Sequence, residues 1–291
     1  MSLSILTNIS AMQTQQNLLA SSNSVAQSMQ RLSSGLRINT AADDAAGYAI
    51  SEGLTAQTNG LDQASSNTND ATSMVQTASS ALTNVQNMLQ RVRELAVQYA
   101  NGSNSASGQT AIQGEVDALT NEIDRQQNAS TFNGQNLLDG SAGTGSTAGG
   151  GLVTFQVGAN NGDTMNATFA NVESAIGGTG SGFNFANVNS ATAHTFNLAC
   201  AGALTSLDAA ITAISTMASN LGAVQNRLQY TSDSISSTET NLSASNSQIK
   251  DVNMASEMTN MTQEQILEQA GTAMLAQANS QPQLILKLIG G

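Results

Sequence analysis

The stretch from Leu61 to Tyr99 repeats apolar or small side chains every seven residues, and no glycine or proline interrupts it. Two positions of each repeat, three residues apart, carry these side chains. The first position holds Leu61, Thr68, Val75, Leu82, Leu89 and Ala96, and the second holds Ala64, Ala71, Ala78, Val85, Val92 and Tyr99. This pattern predicts a long helix with an apolar seam that faces a partner helix along its length.

The same chain contains a candidate partner for this seam. A second seven-residue series consists of Leu207, Ile214, Leu221, Leu228, Ile235, Leu242 and Ile249. We therefore predict a mainly α fold built on long antiparallel coiled-coil helices. The seam residues of both series form the predicted core of this coiled coil.

Composition supports thin helical bundles rather than a compact enzyme. The chain of 291 residues has no Trp, one Pro, one Cys, one His and only 3% aromatic residues. Charged residues make up 10%, the net charge is −12, and the basic residues are scattered, so we expect no nucleic-acid binding. One cysteine excludes an internal disulfide. No apolar run approaches the roughly 18–20 residues of a membrane helix, so we expect no membrane insertion.

The two ends of the chain are apolar and poor in charge. Residues 1–38 contain no acidic residue, and their only charges are Arg31 and Arg37. Their apolar residues recur at a loosely helical spacing, which is compatible with a weakly ordered tail but favours a segment that orders only in an assembly. The N-terminus lacks the basic region of a Sec signal peptide, which leaves open another export route. At the other end, Pro282 is predicted to interrupt a helix, and the apolar residues 284–291 need a covering partner.

Helix-capping and turn-forming residues mark the boundaries of the elements between these ends. Ser33–Gly35 interrupts the first helix, and Thr40–Asp43 reads as a capping box for a helix from about Asp43 to Ala100. After a loop at 101–108, a third helix of about two to four turns is predicted to fold back and to end at Phe132–Gly134. Thr205–Asp208 reads as a second capping box, opening a helix that runs to about Val252.

The segment from Gly140 to about Ala203 has a different character. Val153, Phe155 and Val157 alternate with polar residues, and Met165, Ala167 and Phe169 do the same. Asn161-Gly162 separates the two runs, which predicts one or two β-hairpins. We predict three parts: a terminal helical coiled-coil domain (1–40 and 253–291), a long-helix bundle domain with a helical hairpin (41–140 and 204–252), and a small β-hairpin insert (141–203).

Signatures of catalysis are absent from the sequence. Asp43 and Asp44 fit capping groups better than a carboxylate pair, His194 fits a surface residue better than a ligand, and Cys200 lacks a nearby base. We predict no enzyme, cofactor or metal site. Arg91, Leu95 and Glu115 could form a small binding patch, although an exposed Arg–Leu pair is usually only solvated surface, and spacing alone does not select the patch.

Several motifs in order resemble the terminal regions of bacterial flagellins, over about 1–140 and 205–291. They are Gln30–Asn39, Ala42–Gly47, Gln90–Gln98, Asn121–Arg125, Thr131–Gly134, Leu221–Arg227, Gln265–Gly271 and Leu275–Asn279. The insert matches only loosely, through Phe155–Asn160. Flagellins with larger outer domains are common, so this chain resembles a short flagellin.

This resemblance implies a structural subunit that polymerises with itself into the flagellar filament for motility. It implies termini that pair in an inner tube, type III export as a secreted protein, and residence in the extracellular filament. Implied partners are an export chaperone, the filament cap, hook-junction proteins and Toll-like receptor 5. The positions that match the receptor-recognition motif are Arg91, Arg93, Glu94, Leu95 and Glu115.

Two rival functions remain to be compared with this one. A hook–filament junction protein shares terminal features with flagellin, but we would expect it to lack the Gln90–Gln98 and Leu221–Arg227 motifs. A secreted enzyme or adhesin on a coiled-coil scaffold would need a catalytic constellation or a large binding insert, and the sequence shows neither.

Overall fold

The computed structural model describes residues 7–143, 150–176, 183–184, 195–199 and 202–289. The helices are α1 (Ile9–Ser34), α2 (Ala45–Tyr99), α3 (Ala106–Ala129), α4 (Val172–Ile176), α5 (Ala203–Lys250) and α6 (Met254–Ile289). The strands are β1 (Thr131–Phe132), β2 (Gln135–Asn136), β3 (Gly150–Gln156), β4 (Thr164–Ala170), β5 (Phe183–Asn184) and β6 (Thr195–Phe196). The predicted class, mainly α with a small β-hairpin insert, is confirmed.

The chain forms two compact units. The terminal unit comprises Met1–Ala56 and Thr240–Gly291, and the central unit comprises Gln57–Glu239. Both long helices, α2 and α5, contribute residues to each unit. The division into three parts that the sequence suggests stays a prediction.

The apolar core of the central unit is formed by the seams of α2 and α5 together with one face of α3. On α2, every seam residue from Leu61 to Ala96 is buried and Tyr99 is half-buried. The buried seam residues of α5 are Leu207, Ile214, Leu221, Leu228 and Ile235. Each buried Val, Leu or Ile side chain contributes about 1.5–3 kcal/mol relative to an exposed one, so this core is the main stabilising feature of the unit.

Polar contacts show that α2 and α5 run antiparallel in the central unit. Gln86 Nε2 donates to Ser215 Oγ at 3.2 Å. Arg93 lies two turns after Gln86 on α2, and it pairs at 2.6 Å with Asp208, which lies two turns before Ser215 on α5. The last two residues of the α5 series, Leu242 and Ile249, belong to the terminal unit and are half-buried.

The hairpin β3–β4 covers one side of the central core. Its strands are antiparallel, with Phe155 opposite Met165. On β4, Met165, Ala167 and Phe169 are buried while the residues between them are exposed, as the alternation predicted. Gly162, in the turn, has a φ of +97°, a left-handed conformation that glycine adopts without strain.

The end of α3 differs from the prediction. The helix has 24 residues, longer than the two to four turns expected, and it ends at Ala129. The Phe132–Gly134 motif does not terminate it. Instead, Asn133 and Gly134 have φ values of 49° and 78° and form the turn of the short hairpin β1–β2. Two successive positive φ angles match the right-handed twist of paired strands, which is why an Asn-Gly pair occurs there.

Both predicted capping boxes are wrong in detail. Helix α2 begins at Ala45, and the residue that caps it is Asp44, whose Oδ1 accepts from Gly47 N at 2.9 Å. Asp43 lies one residue earlier and organises the preceding loop: its Oδ2 accepts from the backbone N of Thr40 at 2.9 Å and from its hydroxyl at 3.1 Å. In the second case α5 already begins at Ala203, so the Thr205–Asp208 motif lies inside the helix.

In the terminal unit, α1 and α6 pack side by side in opposite directions. Asn8, which caps α1, donates from Nδ2 to the carbonyl of Ala278 at 2.9 Å, near the end of α6. At the other end of α1, Arg31 approaches Glu257, near the start of α6, at 3.7 Å.

Helix α6 continues through Pro282, contrary to the expected interruption. Proline has no N–H to donate to the carbonyl four residues earlier, which here belongs to Ala278. That carbonyl accepts from Asn8 Nδ2 instead. A side chain of α1 thus supplies the hydrogen bond that the proline removes.

The loops that join α1 to α2 and α5 to α6 are bonded to each other. Arg37 N donates to Lys250 O at 2.7 Å, and Val252 N donates to Gly35 O at 3.0 Å. The Arg37 guanidinium also donates to Ile249 O at 2.6 Å, at the C-terminal end of α5. We call residues 35–38 and 249–252 the loop clasp.

Candidate assembly surface

In the terminal unit, large apolar side chains are exposed along α1 and α6. Among its described residues, Ile38 is the one fully buried hydrophobic side chain. Its exposed large hydrophobic residues are Ile9, Met12, Leu19, Met29, Ile50, Met254, Met258, Ile266, Leu267 and Met274. Exposed apolar side chains that recur along two paired helices are typical of an interaction site.

Few charges accompany these apolar faces. Arg31 and Glu257 form an ion pair on α1 and α6, and the Glu257 side chain is only 10% exposed. The buried Nε atom of Arg31 has no acceptor among the described residues. Besides this pair, α6 carries the partly exposed Glu264 and Glu268, so the surface combines exposed apolar residues with few charges and offers apolar side chains for burial in a partner.

The five residues of the predicted receptor patch do not share one surface. Arg91 is exposed and bonds to Glu115 Oε1 at 2.8 Å and to Glu94 Oε2 at 3.1 Å. Arg93 is bonded to Asp208 on α5 rather than to this cluster. Leu95 is only 1% exposed and packs in the central core, so the expectation of an exposed Arg–Leu pair is wrong.

The reason for this difference is the position of α3. In the seven-residue register Leu95 falls on a flank of the α2–α5 seam, and α3, which lies beside this flank, brings Glu115 to Arg91. Hydrogen bonding by Glu115, and then by Glu94, raises the pKa of Arg91 above its ordinary value. Hydrogen bonding by Asp208 raises that of Arg93 in the same way, so both pKa shifts favour the cationic forms.

A catalytic or metal centre is not visible in the described parts of the chain. No cluster of three or more His, Cys, Asp or Glu residues there could hold a metal ion. His194 and Cys200 lie outside the described residues. Among the described helices, none is long and apolar enough to cross a membrane.

Two features of this surface were not found from the sequence. The loop clasp joins residues more than two hundred positions apart, and its bonds are mostly between backbone atoms, which leave no residue pattern. The second feature is the hydrogen bond from Asn8 Nδ2 to the Ala278 carbonyl, which lacks its helical donor because residue 282 is proline. A signal existed there, because a proline inside an apolar helical repeat leaves a free carbonyl four residues earlier that needs a donor.

The fold and surface define a helical structural protein with a packed central unit and apolar terminal helices. Comparison with known proteins assigns its family. Residues 5–143 match the bacterial flagellin N-terminal helical region, and residues 204–289 match the bacterial flagellin C-terminal helical region. The chain belongs to the bacterial flagellin family, a family of structural filament proteins and not of enzymes.

Curated relatives match over nearly their whole length. The flagellin of Halalkalibacterium halodurans is 42% identical over 283 residues, which cover 97% of this chain and 98% of the relative. The flagellar filament 33 kDa core protein of Treponema phagedenis is 42% identical over 284 residues, with the same coverage. The crystal structure of Bacillus cereus flagellin is 30% identical and aligns with a TM-score of 0.47 over 62% of this chain and 94% of that one.

Proposed function

We propose that this chain polymerises with copies of itself into a flagellar filament, in which the apolar faces of α1 and α6 are buried against neighbouring subunits. One observation carries the proposal: among its described residues, a unit built on two long paired helices exposes ten large hydrophobic side chains and fully buries only Ile38. Burial of apolar area contributes roughly 25 cal/mol per Å², so association of these faces is the main driving force for growth. We take these contacts to be head-to-tail, because head-to-tail contacts that do not close into a ring build an open helical polymer.

Family membership supports the same function and disfavours the junction-protein alternative. Both terminal arms match flagellin regions, including the Gln90–Gln98 and Leu221–Arg227 motifs. We further propose that the chain is secreted by the flagellar type III route and works in the extracellular filament. Its helper partners in this scheme are an export chaperone, the filament cap and hook-junction proteins.

Seeded assembly tests the main proposal. Purified chain is added to short filament seeds, and filament length is followed by electron microscopy. The variants Met12→Gln and Ile266→Gln place a polar group on the exposed faces of α1 and α6, and we expect each to slow elongation. Leu152→Thr is the matched control, because it removes an exposed apolar residue from the hairpin of the central unit.

Two outcomes of this assay would contradict the proposal. The first is wild-type chain that stays monomeric in the presence of seeds. The second is equal slowing by the hairpin control and by the terminal-unit variants, which would mean that the faces of α1 and α6 have no special role. Circular dichroism of each variant monomer checks that the helices are intact.

We also propose that released monomers are recognised by Toll-like receptor 5 through the surface around Arg91, with Glu94 and Glu115, while Arg93, which is paired with Asp208 on α5, lies outside this cluster. The support is an exposed guanidinium held by two carboxylates. In this proposal Leu95 acts from the core, by fixing how α2 packs under the patch. Receptor signalling is compared between wild type and Arg91→Ala, with Arg125→Ala on α3 as the control; equal signalling at matched dose would exclude the patch.

A further inference from the structure

Most exposed methionines of this chain lie in the terminal unit. Five of its six described methionines, Met12, Met29, Met254, Met258 and Met274, are exposed, with 48–62% of their surface accessible, and the sixth, Met261, is half-buried. In the central unit, Met74 and Met165 are buried, and Met88 and Met217 are half-buried against the core. We name the first five the exposed methionines.

This distribution has a chemical consequence. A thioether that water can reach is oxidised to a sulfoxide far more readily than one packed in a core. The sulfoxide is polar and chiral, so it opposes burial in an apolar contact. Methionine suits such contacts only while it is reduced, because its unbranched, polarisable side chain fills irregular gaps.

We propose that the exposed methionines are a redox modification site, at which peroxide oxidises the monomer and thereby blocks its addition to a filament. This inference rests on the proposed function, because it takes the faces of α1 and α6 as the growing contact. The central unit keeps its fold under the same treatment, since its methionines are shielded. Oxidation therefore disables assembly without unfolding the subunit.

The reaction balances with peroxide as the oxidant. The sulfur lone pair attacks one peroxide oxygen, the O–O bond breaks, and an S–O bond forms. The sulfur is oxidised to the sulfoxide, and the departing hydroxide takes the remaining proton and leaves as water. Methionine sulfoxide reductases reverse the change, one enzyme for each sulfoxide epimer.

Position-resolved oxidation tests the first half of the inference. The full-length monomer is treated briefly with dilute hydrogen peroxide, quenched with catalase, digested and mapped by mass spectrometry. We expect the exposed methionines to be oxidised about tenfold faster than Met74 and Met165, in line with their access to solvent. Equal rates in the two groups would overturn the proposed site.

Seeded growth of the oxidised monomer tests the second half. Because each buried sulfoxide opposes association, we expect the critical concentration for elongation to rise about tenfold or more. Treatment with both sulfoxide reductases should restore it. A monomer that is oxidised at the exposed methionines and still grows at the untreated concentration would refute the block.

A variant with leucine at all five positions supplies the matched control. Leucine conserves volume and cannot be oxidised, so this variant, which keeps only the half-buried Met261 among the described methionines of the terminal unit, should grow almost equally well before and after peroxide. If it fails to grow at all, two smaller variants, one with the α1 pair and one with the α6 trio replaced, should each retain growth and show partial resistance. Peroxide inhibition of these variants equal to that of wild type would overturn the inference. Failure of untreated wild type to grow would instead refute the proposed function, while the oxidation map would still decide the modification site.

Discussion

The hydrogen bond from Asn8 to Ala278 can be tested through the proline that makes it necessary. Asn8 uses both ends of its amide: Oδ1 accepts from Ala11 N at 3.0 Å as the cap of α1, and Nδ2 donates to Ala278 O at 2.9 Å. Asn8→Ser keeps a good capping oxygen and removes the donor. Its effect therefore reports mainly on the bond to α6.

The size of the effect of Asn8→Ser depends on the environment of the Ala278 carbonyl. Ala278 is half-buried, and its usual helical donor is missing because residue 282 is proline. Loss of one hydrogen bond costs about 0.5–1.5 kcal/mol, which makes local opening of the helix pair roughly fivefold more frequent. Hydrogen exchange of the amides in the first turns of α1 and around Ala278 measures this opening directly.

A second substitution makes the test specific. Pro282→Ala restores an N–H that can donate to the Ala278 carbonyl, so Asn8→Ser should cost less than half as much in this background. Asn17→Ser, on an exposed position of α1, is the control for a change of Asn to Ser and should have little effect. An equal cost of Asn8→Ser with and without the proline would refute the view that Asn8 replaces the missing donor.

Three further perturbations test the central unit and the loop before α2. Leu89→Ala, in the middle of the seam, should destabilise the central unit by about 2–5 kcal/mol in thermal unfolding. Gly151→Val should loosen the hairpin and speed exchange of its amides, because a Cβ there would clash with the Ala142 carbonyl oxygen. Donors in the preceding turn, the backbone N–H of Thr40 first, hold the pKa of Asp43 below its ordinary value of 3.8. The Asp43 carboxylate therefore stabilises its loop above that value, and the protection of the loop amides should be lost as the pH falls through the lower folded pKa.

Each of these predictions has a control or a refuting result. Leu152→Ala, on the exposed side of the hairpin, should change the melting temperature much less than Leu89→Ala; similar losses would mean that the seam is not the core. An unchanged rate of hydrogen exchange of the hairpin amides in Gly151→Val would show that the backbone segments at Ala142 and Gly151 can separate at no cost. Asp43→Asn should make loop protection nearly independent of pH in the acid range, and an unchanged pH profile would exclude this carboxylate as its source.

The long-range pattern of the fold could be predicted because it is periodic. Residues from Leu61 to Ala96 recur every seven positions, and their burial follows that period along α2. The β3–β4 hairpin could be predicted for a similar reason, since alternation on each side of Asn161-Gly162 gives a period of two. Such signals are redundant over many residues, so one exception such as Thr68 does not remove them.

Errors arose where a single contact between distant elements decides the structure. Leu95 lies on a flank of α2 that is buried beside α3, and the seven-residue pattern does not indicate on which flank a third helix packs. The start of α2 depends on which of two adjacent carboxylates turns towards the helix, and the structure assigns this role to Asp44. In α6, the expected break at Pro282 is absent, and the free carbonyl that the proline leaves finds its donor on α1.

The pairing of α1 with α6 also bears on the order of folding. The bond from Asn8 to Ala278 spans 270 positions, and closing a flexible loop of that length costs on the order of 5 kcal/mol in chain entropy. Antiparallel packing of α2 and α5 shortens that loop before the terminal helices meet, and the loop clasp shortens it again. We therefore expect the terminal helices to join late, after the central core has formed. During this delay the apolar helices α1 and α6 of a newly released chain would be unpaired. The folding rate of the central unit would therefore limit how soon α1 and α6 pair and can join a filament.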